Sequence, residues 1–428
     1  MQISKLTRYR SRLAGWLILL SAVLYLLSIL IPGVSPWLGS IAAWGAVVFC
    51  WPILGRSAHQ QSGILFLIGS GLLAWGALKG CSVDLMVALT RNLPLLMMFV
   101  AVSFLSLTNP TEADLDQPQG KKGFWSTILS CHVLGAVINL SIIFVVGDRL
   151  ARNDKLTERQ VQVLMRGFCS GAYWSPFFIA SGVAMTYAPG AQWQHTVIAG
   201  LILVLPMLLF SYWELSRQGL EQFTGYPLRK DSLVMPIIMA VAVLGIHTLY
   251  PTISILTLIS MGAPIGAVIF MKQRPRRKVI LHYIENRLSN VSSQFSLFLA
   301  AGVFSTGISV LIQSYPTIFA FHASSFTPML FWIVSALMIL IGLVGVHPVV
   351  SVSLVSPFLQ PLTQNYDQLA FLYLSVWGTA TAVSPLSGVG LAMISRYQAS
   401  SRSILRGQWH YMLVMWFLAG AVNWALYA

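Results

Sequence analysis

The chain has 428 residues, of which 56% are hydrophobic and 9% charged, and its formal net charge is +14. Soluble chains carry about a quarter charged residues, so this composition excludes a water-soluble enzyme or an array of soluble domains. The basic charge does not point to nucleic acid, because Lys and Arg gather at the ends of apolar runs, as the positive-inside rule requires.

An extra N-terminal helix is expected within 1–36, where Lys5, Arg8, Arg10 and Arg12 precede an apolar run over 13–31. That run is long, and Ile31-Pro32-Gly33-Val34 offers no small-residue cleavage site, so it reads as a helix and not a signal peptide. A first repeat then occupies 37–213. It holds apolar runs at 37–54, 63–78, 93–107 and 195–213 and an amphipathic stretch at 80–92 with Asp84 and Arg91. Its segment 124–147 exceeds the ~20 residues of a single crossing. Yet Lys121 and Lys122 precede that segment, and Arg149, Arg152, Lys155 and Arg159 follow it. Flanks of one sign belong on one side, so this segment is expected to be an inner re-entrant hairpin. A polar connector, 214–231, running from Glu214 to Asp231, leads into the second repeat, 232–428. There the runs 232–249, 253–271, 294–312 and 405–427 match the first set in order. The amphipathic stretch recurs at 279–291 with His282, Glu285 and Arg287, and an outer hairpin is expected over 329–359.

Each repeat carries a broken helix, 161–187 and 368–394. The first contains Cys169-Ser170-Gly171-Ala172-Tyr173-Trp174-Ser175-Pro176 and the second Gly378-Thr379-Ala380-Thr381-Ala382-Val383-Ser384-Pro385. Serine is a good N-cap and proline fits the first helical position, so each Ser-Pro is expected to restart a helix after an unwound run of small residues. Phe124-Trp125 and Phe331-Trp332 open the hairpins, and Trp193-Gln194-His195 and Trp409-His410 open the closing helices. The fold class is therefore an all-α polytopic membrane protein of about 11 transmembrane helices plus two re-entrant hairpins, in two repeats. Each repeat crosses an odd number of times, so the second is inverted. With the N-terminus inside, the C-terminus is outside and every Lys and Arg except Lys79 and Arg91 is cytoplasmic, which implies a multi-pass protein of the cell inner (cytoplasmic) membrane.

Paired broken helices in matching positions mark the binding site of a secondary transporter. Two hairpin tips and two Ser-Pro breaks would bring four helix N-termini together, and their N–H groups and dipoles favour an anion. The substrate-binding candidates are Asn139 and His347 at the tips, Ser175 and Ser384 at the breaks, and Arg166 in the preceding half-helix. Arg166 either meets the anion through its guanidinium fork or snorkels to the cytoplasmic surface. His347 either binds substrate, carries a proton or hydrogen-bonds the hairpin. Carbonyls ending the half-helices can hold a cation. The ion-binding candidates are Asn139, Ser170, Gly171, Ser175, Thr379, Ala380 and Ser384, with sodium or the proton as coupling ion. No metal or other cofactor is expected. Cys50, Cys81, Cys131 and Cys169 lack metal or redox spacing, and His132 and His247 read as packed helix residues.

Ser296-Leu297-Phe298-Leu299-Ala300-Ala301-Gly302-Val303-Phe304-Ser305-Thr306-Gly307-Ile308 resembles the segment before the outer hairpin of the ion transporter superfamily. The nearest-looking members are divalent anion/sodium symporters and arsenite-efflux permeases. Gly345-Val346-His347-Pro348 sits where that family has a Ser-Asn-Thr tip, and Val383-Ser384-Pro385-Leu386-Ser387 where it has a Thr-Pro-rich break. The resemblance covers nearly the whole chain in topology and implies a homodimer. The tip Val137-Ile138-Asn139-Leu140-Ser141 keeps the asparagine without its neighbours, and His347 and Pro348 replace asparagine and threonine, which puts sodium coupling in doubt.

The expected function is secondary active transport of a small anion, a carboxylate by preference, coupled to a cation gradient. The alternatives are an arsenite-type oxyanion efflux permease and a non-transporting membrane scaffold. No His-Glu-x-x-His, Gly-x-Ser-x-Gly or Walker-type loop occurs, so neither an intramembrane enzyme nor an ATP-driven pump is expected. The partners are the substrate and the bilayer.

Overall fold

The computed structural model describes residues 5–108, 116–228, 230–318 and 325–427; residues 1–4 and Arg229 of the expected connector lie outside them. The helices run α1 (Lys5–Leu30), α2 (Pro36–Cys50), α3 (Arg56–Leu78), α4 (Leu85–Thr90), α5 (Leu93–Ser103), α6 (Gly120–Ile138), α7 (Ser141–Leu150), α8 (Glu158–Cys169), α9 (Ile179–Tyr187) and α10 (Trp193–Arg217). They continue as α11 (Lys230–Leu249), α12 (Ile255–Phe270), α13 (Arg276–Asn286), α14 (Ser292–Ser314), α15 (Pro328–Leu343), α16 (Pro348–Leu359), α17 (Tyr366–Val383), α18 (Gly388–Tyr397) and α19 (Ser401–Tyr427). The described residues are all-α, with isolated bridges Gln119–Thr224 and Arg152–Lys155 and no named strand. After α1, the halves α2–α10 and α11–α19 repeat one order: two helices, a short helix, a longer one, a two-limbed hairpin, a broken pair and a closing helix.

Among the described residues, seven stretches are long and apolar enough to cross a bilayer; α11, α12 and both limbs of the second hairpin are apolar but shorter. Large apolar side chains stand fully outward, as with Leu67 at 72% and Leu78 at 83% exposure. Such a surface is stable only against lipid, so the chain is a multi-pass membrane protein.

The helices gather in two units. Unit 1 is Met1–Phe104, Leu256–Ser324 and Ser353–Phe358. Its central crossing is α3 on α14, where glycines let two backbones touch: a methyl on Gly69 would lie 2.7 Å from the Phe304 Cα, and one on Gly307 2.7 Å from the Gly69 carbonyl oxygen. Between apolar helices in lipid, close packing and interhelical hydrogen bonds replace the hydrophobic drive. Asn92 Nδ2 accordingly donates to the Phe298 carbonyl at 2.6 Å, and Ser62 meets Ser296 at 3.3 Å.

Unit 2 is Leu105–Ile255, Ser325–Val352 and Leu359–Ala428. Its pivot is α17, apolar all round and packed by α8, α9, α10, α15 and α19, as expected of a helix with no exposed face. The expected connector begins later than the sequence suggests. Glu214 still belongs to α10, which runs to Arg217, and its carboxylate meets the buried Arg166 from the last turns of that helix. The segment after it folds back on α6, with the Ser126 hydroxyl donating to the Tyr226 carbonyl at 2.7 Å.

Candidate functional site

The site is built in unit 2 from two hairpin tips and two breaks. At the first break, α8 opens on a capping box of Thr157 and Gln160 and passes through a 3-10 turn, Ser170–Tyr173; the chain then leaves the helix until α9 begins at Ile179. At the second, α17 stays helical through Val383, and α18 begins at Gly388 with Ser387 as its N-cap. Two expectations are corrected here. Ser175 and Ser384 are not N-caps: each starts a turn, its Oγ accepting from the N–H two residues on, Phe177 at 3.2 Å and Leu386 at 3.2 Å. Nor are the small-residue runs unwound. They are contact surfaces: a methyl on Gly378 would overlap the Tyr173 ring and lie 3.1 Å from the Cys169 carbonyl, so glycine here lets the two broken helices meet.

Each break serine has a second bond at the matching place in its half, short in the first and at the outer limit of a hydrogen bond in the second. Ser175 Oγ donates to the Ala136 carbonyl in the last turn of α6 at 2.5 Å, and Ser384 Oγ to the Leu343 carbonyl ending α15 at 3.5 Å. Helix ends leave carbonyls unpaired, so in each half one hydroxyl ties a break to its hairpin while filling an orphan acceptor. Asn139 reinforces the first pair. It sits at the tip with φ +58° and donates from Nδ2 to the Phe177 carbonyl at 3.1 Å. The N-cap residue of α7 is Leu140, not Asn139; with ψ −150° the Asn139 backbone lies outside the left-handed helical region, in one that favours glycine, so the Phe177 bond helps to hold a costly conformation. At the second tip His347 Nδ1 accepts from the Val349 N–H at 3.3 Å, and its ring stands edge-on to Trp377 at 5.3 Å. Gly345 of that tip abuts Leu386 of the second break.

The carbonyls expected as cation ligands are already engaged: Gly171 accepts from the Ser175 N–H at 3.0 Å, and Ala380 from the Ser384 N–H at 3.0 Å. The Gly171 carbonyl also accepts from the Trp174 N–H at 3.4 Å, while the Ala380 carbonyl retains a second lone pair, so each is a shared ligand at most. Thr379 Oγ1 meets Tyr173 Oη at 3.2 Å, and Tyr411 Oη lies 3.3 Å from the same phenol. Ser170 belongs to a relay that the sequence did not announce. Trp174 Nε1 donates to His132 Nε2 at 3.2 Å, so a neutral His132 carries its proton on Nδ1 and gives it to Ser170 Oγ at 2.7 Å. Ser170 in turn donates to the Gly167 carbonyl at 2.8 Å.

Arg166 neither snorkels nor faces an open cavity. It is 0% exposed, with Nη2 2.6 Å from Glu214 Oε2 and 2.8 Å from the Gly407 carbonyl, Nε 2.7 Å from Gln408 Oε1, and the guanidinium 4.6 Å from the Tyr411 ring centre. Its charge is met by Glu214, so it pairs within the protein instead of standing free for an anion, with Nη1 left without a partner among the described residues. The partners lie 48 and 242 residues away, so no local pattern announces them. Asp148 at the end of α7 similarly holds Arg396 of α18 through two bonds of 2.7 Å and accepts from Tyr397 at 2.7 Å.

No protein-family model matches the chain, and no curated protein sequence does. Among solved structures, that of the YdaH transporter of Alcanivorax borkumensis is similar, with TM-score 0.46 and 11% identity over 99% of this chain and 98% of that one.

Proposed function

We propose that this protein is a secondary active transporter that carries a small anion, a carboxylate by preference, across the cytoplasmic membrane, coupled to sodium or the proton. One observation carries the reading. In each half a Ser-Pro turn is tied to its own hairpin by a serine–carbonyl bond, and the two breaks abut at Tyr173, Gly378 and Thr379. Interrupted helices cost stability wherever backbone groups go unmet, and within a bilayer they persist where they serve a cavity. Helix N-termini supply partial positive charge at such a place, which suits an anion without calling on Arg166, whose charge Glu214 meets. The coupling cation would take the hydroxyls and carbonyls of the breaks, a hard-oxygen set.

The test is uptake by proteoliposomes of the purified chain under an imposed sodium or pH gradient. Accumulation of labelled dicarboxylate against its own gradient supports the reading, export of arsenite would move it to oxyanion efflux, and movement of neither anion class would leave a scaffold. Ser175→Ala should lower transport at least tenfold while costing about 1–3 kcal/mol, because the Ala136 carbonyl loses its partner. Thermal unfolding read beside initial rates separates the two effects, and wild-type rates in a folded variant would remove the serine from the site.

A further inference from the structure

A second polar site lies toward the other end of α8, eight residues from Ser170, roughly 12 Å along the helix. Here α8 faces the start of α19 across a pocket of about 370 Å³, with Gln162 and Gly407 at its base and Ser400, Arg402, Ser403 and Arg406 around it. Glu158 is the single carboxylate of the lining, against two arginines.

The base carries unmet hydrogen-bonding capacity. Gln162 is 5% exposed and its Oε1 has no partner among the described residues. Buried polar atoms are nearly always paired, so an orphan on a buried side chain that lines a pocket points to a ligand or water that completes it. The two ends of an amide exchange by rotation, so the same side chain can present N–H to an anion. Gly407 leaves room for the amide, since a methyl there would overlap it. One turn further along the same face of α8, Arg166 Nη1 and the facing Gln408 Nε2 are buried without partners too. Around the rim the chemistry is cationic. Arg402 and Arg406 are four residues apart on α19 and share a face, and the guanidinium fork matches tetrahedral oxyanions. Ser400 Oγ accepts from the Ser403 N–H at 3.0 Å, which orders the first turn of α19 and sets its positive dipole end beside the arginines.

The geometry points to a binding site for a phosphate group between α8 and the start of α19, separate from the two breaks. Basic residues that serve only to orient the chain in the membrane need neither a pocket nor an orphaned buried amide at its base. The phosphate belongs either to a soluble ion or to a lipid headgroup, which the experiment distinguishes.

The measurement is thermal unfolding of the full chain at constant ionic strength. One arm titrates inorganic phosphate against chloride in detergent; the other compares nanodiscs of phosphatidylglycerol with nanodiscs of phosphatidylcholine. The wild type should be stabilised saturably by one phosphate source, since a ligand that binds only the folded state raises the melting temperature. Arg402→Gln/Arg406→Gln should abolish the shift. Arg402→Lys/Arg406→Lys, which preserves the charge count for insertion, should weaken binding about tenfold by losing the bidentate geometry. Gln162→Ala should weaken it without touching the rim. A shift in nanodiscs alone assigns the phosphate to a lipid. Absence of any shift, or equal shifts in wild type and all variants, overturns the site. The readout is independent of transport, so its failure leaves the reading of the breaks intact.

Discussion

Glu214→Ala should destabilise the protein by about 3–5 kcal/mol. Arg166 is wholly buried and Glu214 only 11% exposed, so removing the carboxylate strands a guanidinium where water cannot reach it. Gln408 and the Gly407 carbonyl would still accept hydrogen bonds, but neither carries charge. The companion double variant Arg166→Met/Glu214→Leu should recover much of the loss, because replacing a buried pair by apolar residues of similar volume is often near neutral. Thermal unfolding of the wild type, both single variants and the double completes the cycle. Additive losses would show that the pair is not a coupled unit.

Gly200→Ala should be nearly as damaging, and by a different route. Gly200 lies in α10 directly behind the first break, where a methyl would overlap the Tyr173 carbonyl and approach the Trp174 Cα to 3.1 Å. The obstacle is backbone, which cannot rotate away as a side chain can, so the overpacking cost of about 1–3 kcal/mol is a lower bound. The break must shift to relieve it, and Tyr173 would move off Thr379 and Tyr411. Transport should therefore fall at least tenfold. Gly71→Ala in α3 is the control. Nothing lies within 4 Å of its added methyl, so it should be neutral or stabilising by up to about 1 kcal/mol through helix propensity. Equal effects of the two substitutions would contradict the close approach at Gly200.

The site was legible in the sequence to different depths. Ser-Pro at 175–176 and 384–385 located both interruptions to within a few residues, because proline's missing N–H acts on the chain immediately around it. What those serines bond was not legible. Their carbonyl acceptors lie 39 and 41 residues upstream, in separate helices. Asn139 was found as a tip residue, but its role follows from a positive φ and the Phe177 carbonyl, not from capping. Arg166 shows the limit most clearly. A charge among apolar residues announces that something must compensate it, and leaves open whether the partner is a substrate, water or a distant carboxylate. His132 and Gln408 gave no signal beyond being polar residues in apolar runs.

Hydropathy, charge placement and punctuation are local properties, and by themselves they determined that this is an all-α membrane chain with an extra first helix, hairpins and two broken helices. Each follows from what a short stretch of backbone can tolerate in lipid. Only the tertiary structure decided which small residues are contact surfaces, which polar groups pair and which helices approach closely enough to need glycine. Those depend on chemistry meeting across hundreds of residues, as where Gly378 receives Tyr173 and where Arg166 finds Gln408. In a low-dielectric interior a buried polar group without a partner is costly, but periodicity constrains only the face on which that partner is sought.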